Sequence, residues 1–180
     1  DHTGQRIRRY STLDHDVHYV GNGYNVDYLE GTQEINLSLG GAPVYAATTN
    51  VATGVTDYAY THADHLASVS VTVDDSGQEV SNQTYLPFGG TWSQEVLQQV
   101  PGSRYAFGGK EKDTVSTLNY FEARYLDTEN GRFVSMDPVF WAPNQQWLME
   151  PQRQNAYSYA GNNPVNYVDP DGRSAWDIIK

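Results

Sequence analysis

A mainly β protein, built as an antiparallel succession of short strands, is predicted by three features of the sequence. Alternating runs of about five to eight residues recur, with a turn roughly every ten residues. Tyr is abundant at 14, against 5 Phe and 2 Met, and Tyr, Val and Thr suit pleated, half-buried surfaces. Turns are supplied by 16 Gly, 8 Pro and frequent Asn and Asp, whereas long Leu- or Ala-rich helical runs are missing.

Taken in order, residues 1–4 form a turn and 5–10 (QRIRRY) alternate as a strand. Residues 16–20 make a second strand. The GNG at 21–23 is a tight hairpin connection that tolerates positive φ. Residues 24–29 lead to a turn at Glu30 and Gly31, and 33–39 alternate again, with Ile35, Leu37 and Leu39 on one face. Gly40 and Gly41 end that strand. Residues 42–48 and 55–61 form the next pair. Residues 67–73 and 78–86 flank a DDSG hairpin turn at 74–77. A loose recurrence of turn, strand and Tyr raises a repeat array.

Residues 91–103 (TWSQEVLQQVPGS) are the least patterned and read as a surface insertion or a short helical turn. Residues 105–109 make a strand and turn. Residues 118–126 (LNYFEARYL) read as one strand, with Arg124 on a face shared with Tyr120 and Glu122. A turn at 127–131 leads to a short strand at 132–135. Helical character is confined to 139–154, where Pro143 and Pro151 interrupt it. Residues 155–161 read as a short helix ending on Gly161, with Tyr157 and Tyr159 as packing aromatics. Residues 174–180 read as the first turns of a further helix, with Ser174 as N-cap.

At 180 residues the chain can hold one domain with a sizeable core. A net charge of −11 argues against nucleic-acid or membrane-surface binding, both of which need Lys/Arg clusters; it fits an acidic, soluble surface. The absence of Cys excludes disulfides, thiolate metal sites and Cys nucleophiles. No apolar run reaches the roughly 18 residues of a membrane span, and no secretory leader is recognisable. The chain opens in mid-pattern and reads as a piece of something longer.

Two places carry candidate chemistry. At HADH, 62–65, an extended strand puts His62 and Asp64 on one face and turns His65 away, so three ligands would require a bent backbone. Structural hydrogen bonding is the simpler reading there, and no metal or other cofactor is expected. The second place is the pair of Asp-Pro corners, Asp137-Pro138 and Asp169-Pro170, in a Tyr-rich region that includes Arg124. Asp before Pro commonly caps a turn, and an Arg on a strand commonly makes an ordinary ion pair. Brought within about 3 Å of each other, the two carboxylates would instead share a proton, as in an acid–base dyad, and would titrate as a pair.

The ordered motifs YTHADHL (60–66), YLPFG (85–89), FGGKEKD (107–113), EARYLD (122–127), GRFVSMDP (131–138) and NAYSYAGNNPVNYVDPDG (155–172) resemble the Rhs repeat-associated core domain. That domain ends the Rhs/YD-repeat shell of bacterial polymorphic toxins and of the C subunits of insecticidal toxin complexes. The resemblance covers most of the chain. It implies YD-repeat-like shell strands over residues 1–60, the core domain over 61–172, and the start of a variable effector region over 173–180.

The resemblance further implies an antiparallel β-ribbon wound into a cocoon with a C-terminal plug. It implies enclosure of a C-terminal toxin and, in many members, aspartic-protease self-cleavage after an Asp-Pro-x-Gly-Leu step. Carried over by motif, Arg124, Asp137 and Asp169 are the catalytic candidates, and the cut falls between Arg173 and Ser174. The implied partners are the chain's own effector region, the rest of the shell, and secretion-system or toxin-complex components; the implied location is secreted or at the bacterial surface. Two departures stand out. Arg173 occupies the position where the family has Leu, and a charge in an apolar pocket is costly to desolvate. The segment 140–154 also lengthens the spacing between the two Asp corners. A second reading is a cell-surface YD-repeat structural or carbohydrate-binding module, with Trp92, Trp141 and Trp147 as stacking surfaces.

Overall fold

The computed structural model describes residues 6–11, 16–21, 23–97, 104–113, 115–141, 149, 151–173 and 177–178. Nine strands form one antiparallel meander in sequence order. They are β1 Arg8–Tyr10, β2 Asp16–Val20, β3 Tyr24–Asp27, β4 Thr32–Leu39, β5 Ala42–Asn50, β6 Thr56–Ala63, β7 Val69–Val73, β8 Glu79–Tyr85 and β9 Thr91–Val96. Strict neighbour-to-neighbour order follows from the short turns, since a hairpin connection leaves the next strand no other partner to reach. Gly23 shows how tightly one turn is built. Its φ is +98°, and a Cβ there would overlap the carbonyl oxygen of Asn36.

The predicted alternation of Ile35, Leu37 and Leu39 holds, but these side chains lie on the exposed face of β4, at 48%, 55% and 76% exposure. The opposite face is buried and largely small or polar. It carries Val17, Asn25, Asp27, Glu34, Asn36, Ala46, Thr48 and Ala59. The register agrees, since Asn25 pairs Glu34, Glu34 pairs Thr48, and Asn36 pairs Ala46, which pairs Ala59. Paired residues of an antiparallel ladder share a face. Burial of Glu34 is offset by Arg104, whose Nε donates to Oε2 at 2.5 Å, and Arg104 also lies 3.6 Å from Asp27.

A second, four-stranded sheet follows: β10 Glu111–Lys112, β11 Asn119–Phe121, β12 Arg124–Asp127 and β13 Arg132–Phe133. Its apolar core joins Leu66, Phe107, Phe121, Leu126, Phe133, Tyr159 and Ala160. The rings of Phe121, Phe133 and Tyr159 meet edge to face, with centroids 5.4–5.8 Å apart, the arrangement aromatic quadrupoles favour. A short pair, β14 Tyr167–Val168 and β15 Asp177–Ile178, ends the described chain.

Arg6 fastens the two larger sheets together. Its guanidinium stands 3.8 Å from the centre of the Tyr120 ring, donates to the Tyr125 hydroxyl at 2.6 Å and pairs with Glu111 at 3.2 Å. Tyr19 on β2 donates to the same Glu111 carboxylate at 2.7 Å.

Several expected elements differ. Residues 91–96 form edge strand β9 rather than an insertion or helical turn. All six residues there are exposed, so the strand carries no apolar alternation to read. The expected strand at 118–126 is broken into β11 and β12 by a tight turn at Glu122 and Ala123, with Glu122 at φ +54°. Arg124 therefore sits opposite Phe121 across a hairpin rather than beside Tyr120. Of the strand and turn expected at 105–109, the strand is reduced to a single bridge at Tyr105, and the turn is a 3-10 turn at Phe107–Gly109. Within 155–161 only the end is helical, as a 3-10 turn at Ala160–Asn162; Tyr159 is buried, whereas Tyr157 is 45% exposed. The final segment is not helical at 177–178, because Ile178 pairs with Tyr167 in β15. Ser174 lies outside the described residues.

A buried arginine holding two aspartates

The turn at Glu122–Ala123 swings Arg124 inward at the start of β12. Its side chain is 1% exposed, and every edge of the guanidinium has a partner. Nη2 meets Asp137 Oδ2 at 2.9 Å and Asp169 Oδ2 at 3.0 Å. Nη1 donates to the Ala156 carbonyl at 3.2 Å, and Nε donates to the Gly172 carbonyl at 2.5 Å. The ring of Phe133 lies 3.6 Å from the guanidinium carbon, so the cation rests on an aromatic face.

Each aspartate is fixed by its corner. The Asp137 amide donates to the Ala156 carbonyl at 2.9 Å, and Asp137 Oδ1 accepts the Val139 amide at 2.8 Å. Pro138 and Pro170 have no N–H and a fixed φ, which stiffens both corners. Asp169 is fully buried, and its Oδ1 accepts the Arg173 amide at 3.1 Å. Gly172 must be Gly. Its φ is +70°, and a Cβ would overlap the Phe121 carbonyl oxygen, which would prise the corner off the β11–β12 turn.

Charge is unbalanced here. One guanidinium faces two carboxylates, and Asp171 is close enough to influence both Arg124 and Asp137. Burial lowers the Arg124 pKa from its ordinary value, and Asp137 and Asp169 offset this only in part; an Arg remains charged regardless. Burial also pushes the Asp137 carboxyl above the ordinary carboxylate range. The Val139 amide and Arg124 oppose that rise, and Asp171 adds to it. Tyr159, packed beneath, is pushed up by burial and by Asp169. Two carboxyls thus share one cation: Asp137, at 15% side-chain exposure and raised in pKa, and Asp169, fully buried. Unlike surroundings are what separate an acid from a base in a carboxylate pair.

The three residues singled out from the sequence thus meet at one nitrogen. Arg173 is exposed, so its side chain occupies no apolar pocket and the expected desolvation cost does not arise in this structure. Ser174, the other side of the expected cut, lies outside the described residues. Sequence reasoning missed Phe133, the Gly172 carbonyl and the contribution of Asp171. The GRF run at 131–133 and the second Asp of DPDG were in plain view, but only the folded corner shows what they touch.

The other candidates lie elsewhere. Asp64 Oδ1 accepts the amides of Leu66 and Ser68, both at 2.8 Å, and His65 reaches the Val165 carbonyl at 3.3 Å. Among the described residues, no group of three His, Asp or Glu is placed to hold a metal ion. Trp92 and Trp141 are 74% and 77% exposed, and Trp147 lies outside the described residues. A cavity of about 480 Å³ lined by Arg6, Tyr19, Asn36, Glu111 and Tyr120, among others, lies between the two larger sheets, and Arg124, Asp137 and Asp169 do not line it. Among the described residues, no helix is long and apolar enough to cross a membrane.

A meandering strand ribbon that ends in a plug of short strands is the architecture of Rhs/YD-repeat and Tc toxin shells, and the chain is related to these proteins. No protein-family model matches it. It is 33% identical over 122 residues to the tRNA nuclease WapA of Bacillus subtilis (strain 168), covering 68% of this chain and 5% of WapA. It is 31% identical over 115 residues to toxin subunit YenC1 of Yersinia entomophaga, covering 63% of this chain and 11% of YenC1. Among solved structures, the TcdB2-TccC3 crystal structure superposes with a TM-score of 0.72 at 23% identity, over 94% of this chain and 9% of the other. The chain therefore corresponds to a small part of the proteins it matches.

Proposed function

We propose that this chain is the closing segment of a toxin-enclosing shell, and that Asp137 and Asp169 cut the chain in cis between Arg173 and Ser174. In this reading residues 1–60 are shell strands, 61–172 the core domain, and 173–180 the start of the enclosed effector region. Its partners are that effector, the rest of the shell, and toxin-complex or secretion components, and the assembled protein is secreted or displayed at a bacterial surface.

The observation that carries the reading is the grip on the peptide group joining Gly172 to Arg173. Arg124 Nε holds its carbonyl at 2.5 Å and Asp169 Oδ1 holds its N–H at 3.1 Å. Arg124 at the same time gathers both carboxylates on Nη2. The next carbonyl along the chain, that of Arg173, is the one to be hydrolysed. In this reading Asp169, paired with Arg124, takes a proton from the attacking water. Asp137, which favours its proton, gives it to the carbonyl oxygen. Collapse of the tetrahedral intermediate breaks the C–N bond as Asp169 passes the proton it took to the Ser174 nitrogen and Asp137 recovers its own from a hydroxyl of the intermediate. Covalent tethering gives the substrate a high effective concentration.

The test is intact mass of a chain carried past Lys180 with its natural continuation. A cut after Arg173 is expected, and Asp137→Asn or Asp169→Asn should abolish it. An uncut wild type ends the protease part of the reading. Restored cutting in Arg173→Leu would assign that failure to the side chain at this position.

The exposure of Trp92 and Trp141 supports a second reading, a carbohydrate-binding module. Glycan-array binding that disappears in Trp92→Ala or Trp141→Ala would favour it over the first.

A further inference from the structure

The amide of Arg173 has two acceptors. Asp169 Oδ1 lies at 3.1 Å and Asp171 Oδ1 at 2.9 Å. Asp171 is itself tied to the hairpin that presents Arg124, because its carbonyl accepts the Ala123 amide at 3.2 Å. One residue thus touches the substrate strand with its side chain and the arginine's own turn with its backbone. We propose that Asp171 is a positioning residue of the site: it registers the Gly172–Arg173 peptide against Arg124, and it sets a third negative charge facing Asp137.

The inference rests on the carboxylate-pair reading above and adds a third carboxylate to it. The asymmetry of the pair requires one. Arg124 Nη2 is nearly equidistant from Asp137 and Asp169, so the shared cation alone does not choose between them. Burial alone would favour the proton on Asp169, the more deeply buried of the two. The charged groups acting on Asp137 are Arg124 from β12, Asp169 across the shared nitrogen, and Asp171 from the facing corner. Arg124 favours the ionised form of Asp137, and Asp171 opposes it. Like charge at this range raises a carboxyl pKa. Asp171 also supports the charge on Arg124, which strengthens the hold on Asp169. The first effect favours the protonated form of Asp137.

Two variants separate clamp from charge. Asp171→Asn keeps an oxygen for the Arg173 amide but removes the charge, whereas Asp171→Ala removes both. In the full chain with Asp169 intact, the carboxyl carbon resonance of Asp137 is titrated by NMR. Its midpoint should fall by about half to one pH unit in Asp171→Asn. If the chain cuts, the pH profile of cutting should move to lower pH by the same amount, with less than a tenfold change at its optimum. Asp171→Ala should cut at least tenfold more slowly at every pH, with rescue by Asp171→Asn. An unmoved Asp137 midpoint in Asp171→Asn overturns the charge assignment. Equal cutting by Ala and Asn variants overturns the clamp. Because the titration needs no turnover, a wild type that does not cut removes the protease reading but leaves the charge assignment to be decided by the midpoint alone.

Discussion

Two buried arginines organise this molecule, and they solve opposite problems. At the seam between the sheets, Arg6 and Arg9 share one carboxylate, Glu111, at 3.2 and 3.3 Å, and Arg6 is wrapped by the rings of Tyr19, Tyr120 and Tyr125. Cation exceeds anion there. At the C-terminal corner a single Arg124 serves both Asp137 and Asp169, and anion exceeds cation. Burial lowers the pKa of both arginines. For Arg6, Glu111 and Tyr19 more than compensate and the net shift is upward; for Arg124 burial wins and the net shift is downward. At the seam the net effect therefore favours the charged form of the cation. The corner is under pressure to hold a proton. That is the difference between a structural clasp and a site suited to acid–base work.

The sharpest way to break the comparison is to remove each cation. Arg124→Met leaves Asp169 fully buried with its main charge partner gone, and uncompensated buried charge is among the costliest defects. We expect a loss of about 3–5 kcal/mol near neutral pH by chemical denaturation. The deficit should shrink in acid, where the aspartates protonate. Arg6→Met leaves Glu111 still paired with Arg9 and bonded to Tyr19, so a loss of only about 2 kcal/mol is expected. Equal losses, or a larger one at Arg6, would remove the distinction between the two nodes.

A smaller effect comes from backbone fit at the corner. Gly172→Ala requires a side chain at φ +70° and an overlap with the Phe121 carbonyl. Left-handed strain alone costs on the order of 1–3 kcal/mol, and relief of the overlap must pull the Gly172 carbonyl away from Arg124 Nε. Thermal denaturation should show that loss, and cutting of the extended chain should fall with it. Gly21 is also at positive φ but open, with nothing within 4 Å of a Cβ, so Gly21→Ala serves as a control with strain and no overlap.

The sequence displayed much of this, unevenly. Period-two alternation placed most strands of the meander within a residue or two, because side-chain alternation is a property of the strand itself. It could not say which face of residues 33–39 is buried. The apolar set proved to be outside, and the buried Glu34 depends on Arg104, far along the chain. Strand β9 was invisible because all its side chains are exposed. The break at Glu122–Ala123 was invisible because no Gly, Asn or Pro marks it. At the site, Asp137, Asp169 and Arg124 were legible from motif resemblance alone. Their meeting at Nη2 was not, since it depends on that unmarked turn.

The smallest expected effect tests the protonation side of the comparison. Burial raises the Asp137 pKa in the folded chain, so the folded state holds this proton to a higher pH than the unfolded chain does. Between the ordinary carboxylate value and the raised one, the folded state binds more protons, and stability falls as pH rises through that window. Asp137→Asn cannot ionise and escapes the penalty, while Asp169 still neutralises Arg124. Relative to wild type, the variant should therefore gain stability as pH is raised from about 3 to 7, by roughly 1 kcal/mol or less. Urea midpoints measured in parallel across that range decide it. A variant that loses ground as pH rises would mean that Arg124, and not burial, governs Asp137.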